Sequence, residues 1–188
     1  MEMMKHQSEP AERVLNTADE LFYRQGYSAT GINQIIKEAG VARASFYQHF
    51  PSKRDLAIAY IQRRHEQWFR LLRDRLDQET DPKQRLLTIF DFLETWLPES
   101  DYRGCAFLNM ASEFPVLGTD IHDVVSRHKL EMRSLIRDLT SKLRSDAVES
   151  TADTIHVLFE GAIVEAQVMR DTWPVQAAKK GVERMLAD

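Results

Sequence analysis

The chain has 188 residues, 43% hydrophobic and 29% charged, which excludes a disordered chain or a miniature scaffold and allows one compact unit or a small module joined to a larger one. The net charge of −4 excludes a protein that coats nucleic acid indiscriminately, because that activity needs a broad positive field. One cysteine, Cys105, excludes an internal disulfide, and neither the start MEMMKHQSEPAE nor the Glu160-interrupted stretch IHVLFEGAIV supplies a signal peptide or a span of about 20 apolar residues, so a reducing cytoplasm and no membrane partner are expected.

The apolar period is helical almost throughout, and the fold class expected is all-α with about nine helices. The first runs from about Pro10 to Gln25, with Val14, Leu15, Ala18, Leu21 and Phe22 on one face and Gly26 ending it. Thr30 or Gly31 starts the second, whose Ile32, Ile35, Ile36 and Ala39 face inward while Asn33, Gln34 and Lys37 face out. Gly40 and Val41 make a sharp turn, and a short third helix, Ala42 to His49, pins Phe46 and Phe50 inward before Pro51 ends it.

Ser52 and Asp55 have the form of a capping box opening a long helix to about Arg75. Asp81-Pro82 opens the next, which carries Leu86, Phe90 and Trp96 and is closed by Pro98. A shorter helix from Gly104 to Glu113 follows, then a long one from Asp120 to Arg144. Ser150 with Asp153 caps another, and Pro174 begins the last. The division expected is a three-helix unit over 1–52 and a larger bundle over 53–188.

Charge is uneven along this plan. Between Ile32 and His65 six basic residues (Lys37, Arg43, Lys53, Arg54, Arg63, Arg64) face two acidic ones (Glu38, Asp55), a local +4 in an acidic protein. A short helix held by aromatic residues across a tight turn from another is the helix-turn-helix design, in which the second helix enters the major groove. Ala44, Ser45 and Gln48 then point outward toward base edges, where glutamine can pair with adenine and Arg43 with guanine. Tyr47, His49 and Lys53 flank them and suit phosphate oxygens, and the Thr30 hydroxyl at a helix start could hold another. Helix pairs with glycine turns also occur in ordinary bundles, where the same residues are only core and a solvated face.

The stretch from Ala11 to Leu56 resembles the N-terminal domain of the tetracycline-repressor (TetR) family through ELFYRQGY, AGV, FYQHF and SK. The resemblance implies that Arg43, Ala44, Ser45, Tyr47, Gln48, His49 and Lys53 touch DNA, and that the protein is a dimeric, ligand-released repressor. Two positions depart from the pattern: Gly31 stands where many relatives have a hydroxyl cap, and Ala42 where many have serine. RGCAFLNMASEF resembles a GC-x-x-x-N-x-x-x-E segment of a subset of the family.

A sensor bundle needs apolar and aromatic walls with a few polar groups. Trp68, Leu72, Phe90, Trp96, Phe107, Met110, Phe114 and Phe159 can supply them, with Asn109 or Glu113 as polar partners to an unidentified small-molecule inducer. Cys105 next to Arg103 admits a redox or electrophile sensor, against the commoner buried and inert cysteine. For a homodimer, Ile155, Leu158, Ala162, Ile163, Ala166 and Met169, then Ala178, Val182 and Met185, recur at spacings of three and four. A helical enzyme is the rival class, yet no HExxH, cysteine pair or glycine-rich phosphate loop is present, and His122 and His128 lie about 240° apart round a helix. No metal, cofactor or catalytic residue is expected; a helical adaptor that does not bind DNA is the remaining alternative.

Overall fold

The computed structural model describes residues 9–114, 119–143 and 146–187. Among them are nine helices and no strand: α1 (Pro10–Gln25), α2 (Ile32–Ala39), α3 (Arg43–His49), α4 (Lys53–Leu76), α5 (Pro82–Glu99), α6 (Ala106–Glu113), α7 (Asp120–Ser141), α8 (Val148–Met169) and α9 (Trp173–Met185). They form two compact units. One holds the described residues up to His65 together with those of Ala106–Val125, and the other holds Glu66–Cys105 with the described residues from Ser126 onward. The sequence reading divides the chain at 52/53; by contacts α4 contributes to both units, and α6 belongs with the first three helices.

In the first unit the helix starts follow local chemistry. Pro10 opens α1, where its missing N–H costs nothing. The Ser52 hydroxyl accepts from the Asp55 N–H at 3.1 Å and donates to its carboxylate at 2.7 Å, the capping box expected at the start of α4. Val14, Ala18, Ile35, Phe46, Leu56 and Ile61 are fully buried and form the core, with Phe22 and Tyr60 meeting edge to face at 5.6 Å.

The second unit packs α8 against α9 and α5. Phe90 of α5 and Phe159 of α8 are buried ring against ring at 5.9 Å, each worth roughly 1.5–3 kcal/mol of removed apolar surface. Asp81 caps α5 by accepting from the Gln84 N–H at 2.8 Å. Pro98 lies in the last turn of α5 instead of ending it.

The capping box expected at Ser150 and Asp153 does not form. Helix α8 starts three residues earlier, at Val148 with Ala147 as its N-cap. The Ser150 hydroxyl donates to the Ala147 carbonyl at 3.1 Å, and Asp153 takes a bidentate pair with Arg133 at 2.6 and 2.9 Å. An arginine fork on a neighbouring helix outcompetes a backbone cap for the carboxylate. The expected end of α7 at Arg144 lies outside the described residues, and the helix is described to Ser141.

Candidate nucleic-acid interface

The α2–α3 pair is set by its turn. Gly40 adopts φ 63°, ψ 42°, a left-handed conformation cheap only for glycine, and its N–H closes on the Ile36 and Lys37 carbonyls. Arg13, which the sequence did not single out, finishes the end of α2: its Nε donates to the Ala39 carbonyl at 3.2 Å and its Nη2 to that of Gly40 at 3.4 Å. Phe46 is fully buried, 5.2 Å from the Tyr47 ring and 6.3 Å from that of Phe50. This anchor fixes which face of α3 is free.

On that face Arg43, Ala44, Gln48 and His49 are exposed, Ser45 is half-buried and Tyr47 is 41% exposed. The Arg43 guanidinium donates to Asn33 Oδ1 at 2.6 Å, which ties it to α2 while leaving four further N–H donors. Lys53, half-buried at the first position of α4, places its ammonium 4.0 Å over the Tyr27 ring.

Two expectations need correction. Thr30 is fully buried, and its hydroxyl donates to the Gly26 carbonyl at 2.7 Å, so it cannot reach a phosphate. A threonine four residues after a helix end satisfies one of the helix's orphan carbonyls in preference to solvent. The basic patch is also smaller than its count. Arg63 bonds Glu12 at 3.1 Å and Asn16 at 2.8 Å, and Arg64 forks onto Asp19 at 2.9 and 2.7 Å. These two arginines brace α4 on α1 and are spent there.

The residues the sequence assigned to a ligand cavity divide between the units. Trp68, Leu72, Phe90, Trp96 and Phe159 belong to one, and Phe107, Asn109, Met110, Glu113 and Phe114 to the other. Trp68 meets Phe92 and Trp96 edge to face, each at 4.9 Å, and its Nε1–H is buried with no hydrogen-bond partner among the described residues. Leu72, Phe107 and Met110 are buried and Asn109 is half-buried.

Glu113 and Phe114 meet the loop that follows α1. Glu113 Oε1 accepts from the Tyr27 N–H at 2.7 Å and Oε2 from the Ser28 N–H at 2.6 Å, while the Phe114 ring lies 4.7 Å from that of Tyr27. Burial pushes the Glu113 carboxyl up, but hydrogen bonds from Ser28 and Tyr27 and the Lys53 charge outweigh it and hold its pKa below the ordinary value. Burial lowers the Lys53 pKa, partly opposed by Glu113, and burial raises that of Tyr27. The GC-x-x-x-N-x-x-x-E segment held Glu113 in view, though nothing in it named Tyr27 as the partner.

The dimer residues need a third correction. Ile155, Ala162, Ile163, Ala166, Ala178 and Val182 are buried within their own chain, because the α8 and α9 faces they form pack on each other and on α5. Leu158 and Met185 are half-buried and Met169 is 52% exposed. The free apolar face of α8 is a different one: Val157 at 68%, Val164 at 43% and Val168 at 70% exposure, with Gly161 between them. Cys105 is buried, and the Lys129 ammonium lies 3.4 Å from its sulfur and 2.5 Å from Glu160.

Comparison with known proteins fits this architecture. Residues 14–60 match the family model of bacterial regulatory proteins of the tetR family, and residues 82–182 match a tetracyclin repressor-like C-terminal domain. The chain is 28% identical over 171 residues to the HTH-type transcriptional regulator LmrA of Bacillus subtilis, covering 87% of this chain and 89% of that one. It is 22% identical over 195 residues to the HTH-type transcriptional repressor NemR of Escherichia coli strain K12, covering 98% of each. Among solved structures, SCO4454, a TetR-family transcriptional regulator from Streptomyces coelicolor, superposes with a TM-score of 0.90 at 26% identity over 96% of this chain and 90% of that one. The reduced form of E. coli NemR shares the fold, with a TM-score of 0.80 at 20% identity over 94% and 96% of the two chains. With both halves matched, the chain belongs to the TetR family and is a DNA-binding transcriptional regulator, not an enzyme.

Proposed function

We propose that this regulator is a repressor that sits on a palindromic operator in the cytoplasm as a homodimer and is released by a small, largely apolar ligand held in the C-terminal bundle. The observation that carries the dimer is the stripe Val157, Gly161, Val164 and Val168 on α8, an apolar surface with a glycine at its middle that lets a second helix come close. On the operator, Arg43, Ala44, Ser45 and Gln48 meet base edges, and Tyr47, His49 and Lys53 hold phosphates. For the ligand, Trp68 supports the reading: a buried indole N–H set among aromatic rings, with no hydrogen-bond partner among the described residues, suits an apolar molecule carrying one acceptor.

Selection of genomic fragments by the purified protein tests the reading, followed by a reporter driven from the enriched promoter. Deleting the gene should raise reporter output; a fall would make the protein an activator. Native mass spectrometry of freshly purified protein reads both the dimer and any retained ligand. A monomer at micromolar concentration would sink the dimer.

A second reading has one observation behind it: Lys129 donates to the Cys105 sulfur, so an oxidant or electrophile reaching that sulfur would disturb an ion pair with Glu160 in the same cluster. Peroxide that frees wild-type protein from its operator but leaves Cys105→Ser bound would support it; equal behaviour of the two would remove it.

A further inference from the structure

Loop 26–30, between α1 and α2, is built around a group that lies far away in sequence. Helix α1 ends at Gly26 with φ 91°, and the next two backbone N–H groups, of Tyr27 and Ser28, turn away from it. Both donate to one carboxylate, that of Glu113 at the last residue of α6, at 2.7 and 2.6 Å. A Cβ on Gly26 would stand 2.9 Å from Glu113 Oε1, so the glycine leaves the room the carboxylate occupies. The Tyr27 ring it fixes is sandwiched by other contacts: Phe114 at 4.7 Å, Phe22 at 5.5 Å and the Lys53 ammonium at 4.0 Å.

We propose that Glu113 is a positioning residue for operator binding, whose carboxylate fixes the Tyr27–Ser28 backbone and, through the Tyr27 ring, the Lys53 ammonium. The inference rests on the reading of Lys53 as a phosphate contact. It assigns to α6 a part in the DNA-contacting surface that its position in the chain does not announce. The chemistry favours a carboxylate at this place: a bidentate acceptor satisfies two parallel N–H donors at once, and its charge keeps an adjacent lysine ammonium in place. A glutamine of the same shape has one acceptor oxygen, so its amide NH2 would face the second N–H, donor against donor.

Glu113→Gln, measured on a duplex that the wild-type protein selects from genomic fragments, tests this. Wild-type binding runs alongside as the control, so absence of any enriched duplex would count against the operator reading and not against Glu113. Affinity should fall about tenfold, a size typical of coupled sites. The salt dependence separates positioning from mere destabilisation. Each lost phosphate contact makes the slope of log affinity against log salt shallower by about 0.9, whereas a smaller folded fraction lowers affinity and leaves the slope unchanged. The expected result is a folded E113Q with a slope shallower by about one contact, and little further change when Lys53→Ala is added. Glu113→Asp, which keeps the charge, should recover part of both affinity and slope, and it serves as the reporting variant if E113Q does not fold. Wild-type affinity and slope in the folded variant, or weakened affinity with an unchanged slope, would overturn the proposal.

Discussion

Lys53, Arg43 and Gln48 lie within one short stretch, yet the contacts proposed for them rest on different physics. A phosphate contact neutralises charge wherever the duplex lies, while a base contact pairs with one pattern of donors and acceptors. Lys53→Ala is therefore expected to weaken binding evenly across operator variants and to flatten the salt slope by about one. Arg43→Ala or Gln48→Ala should instead relax preference at one base pair, by about 1–3 kcal/mol, in a competition of operator variants. Equal losses at every position from all three would contradict this division. Acid reports on Glu113 separately. Its folded pKa lies below its ordinary value of 4.5, so its contribution to stability is present above that value and is lost as pH falls through the lower folded value. Facing it are Lys53, whose ammonium stays charged over that window, and Tyr27, which stays neutral. The difference in melting temperature between wild type and E113Q should accordingly be largest near neutrality and shrink in acid; a constant difference would mean the charge is not what matters. Among single residues, those read through nearby chain were legible: the Ser52–Asp55 cap spans three residues. Thr30 was misread because a hydroxyl beside a helix start fits two partners, and the Gly26 carbonyl, four residues back, takes it at 2.7 Å. Glu113 bonds Tyr27 across 86 positions, and spacing carries no mark of such a meeting.

Helices were easier to read than the surfaces they share. All nine expected segments fold as helices among the described residues, because Pro, Gly and the apolar period act within a few residues. Their ends show how a glycine's surroundings set its cost. Gly40 has φ 63° and, apart from its chain neighbours, no described residue within 4 Å of an added Cβ, so Gly40→Ala should cost only the backbone term, roughly 1–2 kcal/mol. Gly26 has φ 91° and the Glu113 carboxylate at 2.9 Å, so Gly26→Ala should cost more and should also weaken operator binding. Chemical denaturation of the two variants gives the comparison, and equal costs would mean that the carboxylate simply steps aside. Helix α8 shows the limit of periodicity. It is apolar on two faces, and a stripe cannot say whether its own chain or another covers it. The face of Ile155, Ala162, Ile163 and Ala166 is covered within the chain, while Val157, Val164 and Val168 stay open. The second apolar face was itself the available signal, since a helix with two apolar faces has two faces to cover. Ile163→Ala should therefore destabilise the fold by about 2–4 kcal/mol, as a cavity in a packed core does. Val164→Arg should leave the melting curve of the isolated subunit nearly intact and shift the species seen by light scattering from dimer to monomer. The reverse pattern would return the interface to the buried face.

At the scale of the whole molecule the arithmetic of recognition decides how many reading helices are needed. Helix α3 has seven residues, and Arg43, Ala44, Tyr47, Gln48 and His49 are exposed on it with Ser45 half-buried, enough to read a few base pairs at about 1–3 kcal/mol each. The chain's net charge of −4, with Arg63 and Arg64 committed to Glu12 and Asp19, leaves a small positive patch in an acidic protein. Such a molecule gains little from non-specific attraction, and in the proposed dimer a second α3 supplies the contacts that compete with the rest of a genome. In a two-fold dimer the two helices enter successive major grooves on one face of the duplex, about 34 to 36 Å apart. Inserting half a helical turn, about five base pairs, between the half-sites carries one of them to the opposite face. Affinity for that duplex should then fall to that of an isolated half-site, and Val164→Arg, lacking the dimer, should bind the intact palindrome, the expanded one and the half-site alike. Fluorescence anisotropy titrations of the three duplexes at one salt concentration read this directly. Wild-type protein that binds the expanded operator as tightly as the intact one would show that its two reading helices are not rigidly spaced, and the palindrome would lose its physical reason.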